Sequence, residues 1–168
     1  MEDIALVNPE NVSEDEANRY PVREAARAVV IDADGMIALL HVSRDHYYKL
    51  PGGGIEEAED RIDGLRREHH EEIGCEIEII GEIGCIVEYR KMFNLKQISY
   101  CYFAKVKGQK STPHFEKGEV EEGFEVIWLP YDEALRTISS NEASTFEGKE
   151  YIVPRDVAFL KAAKEFLH

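Results

Sequence analysis

The stretch from residue 50 to residue 74, LPGGGIEEAEDRIDGLRREHHEEIG, constrains the fold of this chain more than any other. It begins with a proline and a run of three glycines, and it continues with eight carboxylates and two histidines. Proline pushes the residue before it into an extended conformation, and glycine lets the backbone approach other groups closely. We therefore expect a short extended segment and a glycine turn, followed by a strongly charged helix.

Residues 60–73 carry the signals of an α-helix. Asp60 suits the N-cap, and Gly74 stands where many helices end in a left-handed conformation. Residues at spacings of three and four predict one inward face: Ile62, Leu65, His69 and Ile73. His69 is unusual there, and we interpret it as a core histidine hydrogen-bonded to backbone, with a role at a metal site as the alternative.

Strand signals surround this helix. Residues 25–43 read as a β-hairpin with Asp34-Gly35 at its turn. Two further strands follow the helix, CEIEIIGEIGCIVEYRK and QISYCYFAKVKG, and Gly81 and Gly84 predict bends or bulges in the first. After a polar, acidic loop over 108–123 come a strand (FEVIWLP), a short helix and a last helix opened by a proline. This order predicts an α/β domain with helices packed on a mixed sheet.

Length and charge limit the classes of protein to consider. The chain has 168 residues and a net charge of −14, which suits one domain that repels nucleic acid and anionic membranes. We expect residues 1–24 to form a polar, loosely attached arm and residues 25–168 to form the domain. The sequence has no secretory signal and no apolar run that could span a bilayer, so we expect a cytoplasmic protein.

The three cysteines, Cys75, Cys85 and Cys101, form no CxxC pair and are odd in number. Buried, reduced thiols are the ordinary interpretation of such a set. A zinc site made of Cys75 with His69 and His70 lacks the spacing of ligand pairs, so we do not favour it.

Three glutamates lie at positions i, i+3 and i+4 of the predicted helix: Glu68, Glu71 and Glu72. They share one side of the helix, where like charges cost roughly 0.2–0.5 kcal/mol per pair. A solvated acidic face is the ordinary interpretation of such a stripe. The adjoining glycine turn favours another one, because carboxylates with a backbone carbonyl suit Mg²⁺ or Mn²⁺. Such ions keep positions open for water and substrate phosphates.

Residues 53–75 resemble the signature of the Nudix hydrolases, G-x5-E-x7-R-E-U-x-E-E-x-G-U, where U is a bulky aliphatic residue. All the fixed positions match: Gly53, Glu59, Arg67, Glu68, Glu71, Glu72 and Gly74. His69 and Cys75 depart from the aliphatic positions, and Ala58 and Gly64 stand where the family often has Gly and Ala. None of these changes removes a carboxylate, so we expect catalytic competence.

The resemblance implies a Nudix-type α/β/α sandwich with a mixed β-sheet, dependence on Mg²⁺ (or Mn²⁺), and hydrolysis of a nucleoside diphosphate linked to another group. By position it implies that the metal ligands are Glu68, Glu71 and Glu72, with the Gly52 carbonyl as a backbone ligand. Arg67 would orient a glutamate through a bidentate contact, and Glu59 would support Arg67 or bind a second ion.

Hydrolysis needs a general base for the attacking water. Glu68 and Glu71 are candidates. The acidic region before FEVIWLP offers others, since Nudix folds often supply a further acidic residue from there: Glu119, Glu121, Glu122 and Glu125. Of these four we favour Glu121 or Glu122.

Substrate identity is the least constrained prediction. The segment EYRKMF lacks the proline typical of ADP-ribose hydrolases, and the signature of coenzyme A hydrolases is missing. Elimination leaves nucleoside triphosphates, including oxidised ones, giving the monophosphate and pyrophosphate. ADP-ribose or a nucleotide sugar is the alternative substrate, and a non-catalytic nucleotide-binding module is the alternative function. A small nucleotide is the expected partner, and a homodimer is left open.

Two sets of side chains are candidates for substrate contacts. Aromatic residues that could stack on a base are Tyr47, Tyr48, Tyr89, Phe93, Tyr100 and Tyr102. Basic residues that could meet phosphates are Arg44, Lys49, Arg90 and Lys91.

Overall fold

A mixed eight-stranded sheet forms the centre of the computed structural model, which describes residues 1–168. The strands are β1 (Asp3–Val7), β2 (Val22–Ile31), β3 (Met36–Val42), β4 (Tyr47–Lys49), β5 (Gly52–Gly54), β6 (Glu76–Arg90), β7 (Leu95–Lys107) and β8 (Phe124–Pro130). The helices are α1 (Glu14–Ala17), α2 (Arg61–Ile73), α3 (Lys117–Glu121), α4 (Tyr131–Ser139) and α5 (Val153–Ala162). A π-helical turn, Glu147–Ile152, leads into α5.

The strand order is β1-β6-β7-β2-β3-β4, and β5 and β8 pair with β2 and β3 respectively. The predicted hairpin of β2 and β3 is confirmed, with Gly35 in the left-handed region at its turn (φ 80°). The two strands pair only at Ile31 and Ile37, however, because they diverge beyond the turn. This divergence lets β5 pair with the first half of β2, which places the glycine run inside the sheet.

The long strands β6 and β7 form an antiparallel ladder with two irregularities. The register shifts between Ile79 and Gly81 and again between Glu82 and Gly84. The bulges predicted at Gly81 and Gly84 are therefore confirmed.

Helices cover both faces of the sheet. Alternate residues of β2 and β3 point to opposite sides, as the period of two requires. Ala26, Ala28 and Val30 share one core with Leu65 and Ile73 of α2. The side chains that point to the other face of the sheet form a second core with α4 and α5. Its members include Val29, Ile37, Leu39, Ala134, Ile138, Phe159 and Leu160. The α/β/α sandwich with a mixed sheet is confirmed.

The amino-terminal segment is attached to the sheet, so the expectation of a loose arm is wrong for much of it. Residues Asp3–Val7 pair in parallel with β6, and Val7, Val12 and Ala17 are buried. Apolar side chains at these few positions are enough to anchor a segment that is polar on average. The domain boundary at residue 24 stays a prediction.

Two further features concern the remaining chain. The predicted loop over 108–123 contains α3, which has a capping box between Glu116 and Glu119. The three cysteines are buried and free, as expected. No helix combines the length and the apolar character that crossing a bilayer needs.

Candidate active site

The glycine strand β5 meets the carboxylate helix α2 at close range. Gly52 pairs with Arg27 of β2, and Gly53 pairs with Ala26. A Cβ atom on Gly53 would lie 2.6 Å from Cδ of Glu68. Gly52 has a φ of 138°, in the region that favours glycine, and a Cβ there would collide with the backbone of β2. Glycine is thus required at position 52 for β5 to pair with β2, and at position 53 a side chain would displace the Glu68 carboxylate.

Helix α2 begins and ends as predicted. The Asp60 carboxylate accepts hydrogen bonds from the N–H groups of Ile62 and Asp63, and Gly74 closes the helix with a φ of 64°. Leu65, His69 and Ile73 are buried as predicted. Glu72 is also buried, with 1% of its surface exposed, which the sequence did not indicate.

His69 is a core histidine, as interpreted from the sequence. Its Nδ1 lies 2.7 Å from the carbonyl oxygen of Leu65, so Nδ1 carries the proton and donates it to that carbonyl. Its Nε2 is buried without a partner. Burial lowers the pKa of His69 to about 4, so the imidazole is neutral near pH 7.

Arg67 holds the acidic residues of the motif together. Its guanidinium binds Glu59 through two hydrogen bonds of 2.8 and 3.0 Å, and it binds Glu68 at 3.0 Å. Glu71 lies 3.6 Å from the same guanidinium. The hydrogen bonds from Arg67 lower the pKa of Glu59 to about 2. Arg67 therefore makes the predicted bidentate contact, and the partner in that contact is Glu59.

Glu68 and Glu72 are less well compensated. Burial raises the pKa of Glu68 in spite of its contact with Arg67. Burial raises the pKa of Glu72 to about 8, against the opposing effect of nearby Lys49. Oε2 of Glu72 accepts a 2.8 Å hydrogen bond from the Gly52 N–H, whereas Oε1 receives none. Both carboxylates thus lie where added positive charge would be favourable.

A cleft of about 430 Å³ opens between β5, the helix α2 and the segment around α3. Its acidic residues include Glu68 and Glu72 from the motif and Glu116, Glu119 and Glu122 from the α3 segment. Its basic residues are Arg23, Arg44 and Lys49. The cleft therefore presents carboxylates and cations to the same space, which suits a metal ion bound together with phosphates.

The structure separates the predicted site residues into two groups. Those that line the cleft are Gly52, Glu68, Glu72 and Glu122. Those that do not line it are Glu59, Arg67, Glu71 and Glu121. Glu121 is exposed, which disagrees with its choice as a candidate base, because the α3 helix turns it away from the cleft.

Glu119, one of the four acidic candidates from this region, lies at the cleft. The pKa of Glu68 is raised by burial, then by the charge of Glu71 and least by that of Glu119. The pKa of Glu72 is raised by burial, then by the charge of Glu68 and least by that of Glu119. A signal for Glu119 was present in the sequence, since the Glu116-x-x-Glu119 spacing predicts a helix start at this point.

The substrate-contact candidates are also divided. Tyr47, Arg44 and Lys49 line the cleft. Arg90 lines an adjoining cavity, and Lys91 pairs with Glu16 on the surface. The other aromatic candidates line neither space: Tyr48, Tyr89, Phe93, Tyr100 and Tyr102.

The sequence analysis did not identify three basic residues in and beside the cleft. Arg23 lines both spaces, and Arg27 and Arg155 line the adjoining cavity. Arg27 interrupts the apolar run of β2, which is a visible signal of a special role.

The oxygen atoms of the predicted metal ligands fit a hard divalent cation only in part. The unpaired Oε1 of buried Glu72 and the carboxylate of Glu68 share the cleft, as such an ion requires. No three His, Cys, Asp or Glu side chains converge into a metal-binding group, however, because Arg67 engages Glu59 and Glu68. Ligation by Gly52, Glu59, Glu68, Glu71 and Glu72 stays a prediction.

Comparison with protein families gives a match over most of the chain. The sequence profile of the NUDIX domain matches residues 21–149. The chain belongs to the Nudix family. It is accordingly a pyrophosphohydrolase, an enzyme for pyrophosphate bonds in nucleoside diphosphate derivatives. Nudix hydrolases generally use divalent metal ions. No curated protein sequence matches the chain.

Solved structures share its fold at low sequence identity. A Nudix hydrolase from Nitrosomonas europaea has a TM-score of 0.66 at 14% identity, over 88% of this chain and 92% of that one. The MutT protein from Methanosarcina mazei Go1 has a TM-score of 0.60 at 18% identity, over 89% and 99%. An Ap4A hydrolase from C. elegans has a TM-score of 0.61 at 16% identity, over 88% and 100%.

Proposed function

We propose that this Nudix enzyme hydrolyses a phosphoanhydride bond of a nucleoside triphosphate, including oxidised ones, and releases the monophosphate and pyrophosphate. One observation carries the proposal: carboxylates, one of them fully buried, and three basic side chains line a single cleft. Glu68 and Glu72 form its acidic part, and Arg23, Arg44 and Lys49 form its basic part. A polyphosphate needs the cations, and a charge-neutralising metal ion needs the carboxylates.

Mg²⁺ or Mn²⁺ would be held by the Gly52 carbonyl with Glu68 and Glu72, which line the cleft. Glu71, the third carboxylate ligand predicted from the motif, does not line it. When bound, such an ion supplies a nucleophilic water at neutral pH and neutralises phosphate charge. Glu59 would act mainly through Arg67, because both of its oxygens bind that guanidinium. Arg67 in turn holds Glu68 in position. Arg67 and Glu59 are therefore positioning residues in this proposal.

The proton of the attacking water would pass to a carboxylate in the cleft. Glu68, Glu119 and Glu122 meet this condition, whereas Glu71 and Glu121 do not line the cleft. We favour Glu119, because it lines the cleft and is not one of the predicted metal ligands. Glu122 is the second candidate.

A nucleotide panel tests the proposed function. Wild-type protein would be incubated with nucleoside triphosphates, oxidised triphosphates, ADP-ribose and nucleotide sugars, with Mg²⁺ or Mn²⁺. Phosphorus NMR of the products would show which bond breaks. We expect the triphosphates to be turned over with the highest kcat/KM, giving monophosphate and pyrophosphate.

Two results would contradict this choice of substrate. Faster turnover of ADP-ribose or a nucleotide sugar would assign the enzyme to that class. Binding without turnover of any member would indicate a nucleotide-binding module. A cytoplasmic location and dimerisation remain predictions from the sequence.

A further inference from the structure

We infer that the arginine-lined cavity beside the cleft is a subsite for a phosphate group beyond the diphosphate at which hydrolysis occurs. This inference rests on the proposed function, because it takes the neighbouring cleft as the nucleotide site. It also narrows the predicted substrate: the enzyme should prefer nucleotides with a third phosphate to nucleoside diphosphates linked to an uncharged group.

The cavity is built as an inner continuation of the cleft. Its volume is about 140 Å³, well above the ~10–15 Å³ that one water needs. It shares Arg23, Lys49, Gly52 and Gly53 with the cleft. The walls that it adds are Arg27, Arg90 and Arg155. A ligand lying on the glycine strand could therefore extend one charged group into this cavity.

Arg27 is the residue that most requires a ligand there. Only 5% of its surface is exposed, and its guanidinium makes no hydrogen bond or ion pair with the protein. Its Nε is buried without a partner. Burial lowers the pKa of Arg27 to about 10, so the side chain is still a cation near neutral pH. Asp156 and Glu88 attract this cation without bonding to it, and a buried charge with no bonded partner is costly, so an anion in the cavity would relieve that cost.

The other two arginines of the cavity wall are compensated. Arg90 binds Glu88 at 2.7 Å. Arg155 binds Asp156 at 2.6 Å and Glu88 at 3.4 Å. Arg90 also binds Glu147, which lines the cavity, at 3.2 Å. Of the three buried guanidinium groups, Arg27 is therefore the one that bonds to none of the buried carboxylates, Glu72, Glu88 and Asp156.

The lining identifies the chemistry of the ligand. Five of the nine lining residues are basic, Glu147 is acidic, and only Ile152 is hydrophobic. The lining offers no aromatic ring and little apolar surface to a nucleobase or sugar, whereas phosphate oxygens match the planar fork of a guanidinium. Arg27 also lies opposite Gly52 in the β2–β5 pair, so the subsite adjoins the glycine turn.

Anion binding without metal tests the subsite independently of catalysis. Thermal unfolding would be followed in EDTA with inorganic tripolyphosphate or phosphate, against chloride at equal ionic strength. We expect both anions to raise the Tm of the wild type and of the exposed control variant Arg136→Met, but not of Arg27→Met. An equal rise in Arg27→Met, or no rise in the wild type, would overturn the inference.

The variant itself separates a binding role from a structural one. Without anion, we expect Arg27→Met to unfold at or above the Tm of the wild type, because it removes an unpaired buried charge. A marked fall in Tm would show that Arg27 supports the fold instead. Arg27→Lys keeps the charge without the fork, so we expect it to fold and to bind tripolyphosphate roughly tenfold more weakly.

Kinetics then distinguish the sources of the phosphate. With Arg27→Met we expect kcat/KM for nucleoside triphosphates to fall at least about tenfold. If kcat/KM falls to the same extent for a dinucleoside polyphosphate but not for a triphosphate, the phosphate bound in the cavity belongs to the polyphosphate that joins two nucleosides. An equal fall for ADP-ribose would overturn the subsite's role. If no nucleotide is turned over, the proposed function fails while the anion measurement still decides the subsite.

Discussion

The backbone N–H of Gly52 donates a 2.8 Å hydrogen bond to Oε2 of Glu72, and this bond joins the glycine strand to the carboxylate helix. The two residues are 20 positions apart in the chain. The bond fixes one oxygen of a buried carboxylate and leaves the other without a donor. Glu72 is therefore held in place with one carboxylate oxygen free to bind a ligand.

Replacing Glu72 with glutamine should abolish most activity without unfolding the protein. Burial raises the pKa of Glu72 to about 8, so the carboxyl is largely protonated at pH 7 without metal, and the neutral amide should change stability by less than about 0.5 kcal/mol. We expect Mn²⁺ affinity and kcat/KM to fall by more than about 100-fold. Calorimetry measures the Mn²⁺ affinity and steady-state kinetics measure kcat/KM, with Glu133→Gln at an exposed position as the control. A wild-type rate in Glu72→Gln would show that Glu72 is not part of the active site.

Gly53→Ala should impair catalysis through Glu68. The new Cβ would lie 2.6 Å from the Glu68 carboxyl carbon, so that side chain must move. Because the displaced group is the end of a flexible side chain, we expect a loss of stability of only about 1 kcal/mol. The rate should fall by about 10-fold or more. Gly118→Ala is the matched control, since its Cβ would have no neighbour within 4 Å. Equal rates in the two variants would contradict the contact.

Glu119→Gln and Glu121→Gln should differ in activity. Glu119 lines the cleft and Glu121 is exposed outside it, although the two lie on the same short helix. We expect Glu119→Gln to lower kcat by about 100-fold or more, as for loss of a general base, and Glu121→Gln to lie within about twofold of the wild type. Glu122→Gln would be measured beside them. The reverse order of Glu119 and Glu121 would favour the choice made from the sequence.

His69 should make stability depend on pH. Burial lowers the pKa of His69 to about 4 from 6.5, so the unfolded state takes up a proton first as pH falls. Stability is therefore lost between about pH 7 and pH 4, by about 2 kcal/mol at pH 5. Urea unfolding in EDTA at pH 7.5 and pH 5 should show that His69→Leu lacks this part of the loss. His69→Leu should also gain about 1 kcal/mol at pH 7.5, because it removes an unpaired buried Nε2. An identical pH dependence in both proteins would show that the histidine is not buried as described.

Arg155→Met should destabilise the fold. Arg155 is 1% exposed and pairs with two buried carboxylates, Asp156 and Glu88. Removing it leaves these charges poorly compensated, so we expect a loss of about 3–5 kcal/mol in the free energy of unfolding. Urea unfolding at neutral pH measures this loss. The opposite behaviour of Arg27→Met in the same experiment would distinguish a structural arginine from one that awaits a ligand.

The local features of this protein were determined by its sequence. Asp60 and Gly74 delimit helix α2, Asp34-Gly35 turns the hairpin, and Gly81 and Gly84 mark the bulges, all as predicted. Each of these depends on the conformational preferences of one or two residues and their neighbours. The Nudix motif is equally local, because its residues lie on the short strand β5, the helix α2 and the connection between them.

The composition of the cleft was decided only by the tertiary structure. The burial of Glu72, the position of Glu119 and not Glu121 at the cleft, and the gathering of Arg27 with Arg155 depend on elements far apart in the chain. Arg27 faces Gly52 because of one particular register between β2 and β5, and a shift by one residue would turn its side chain to the other face. Local sequence patterns do not specify such a register, since it follows from how the whole sheet packs against its helices.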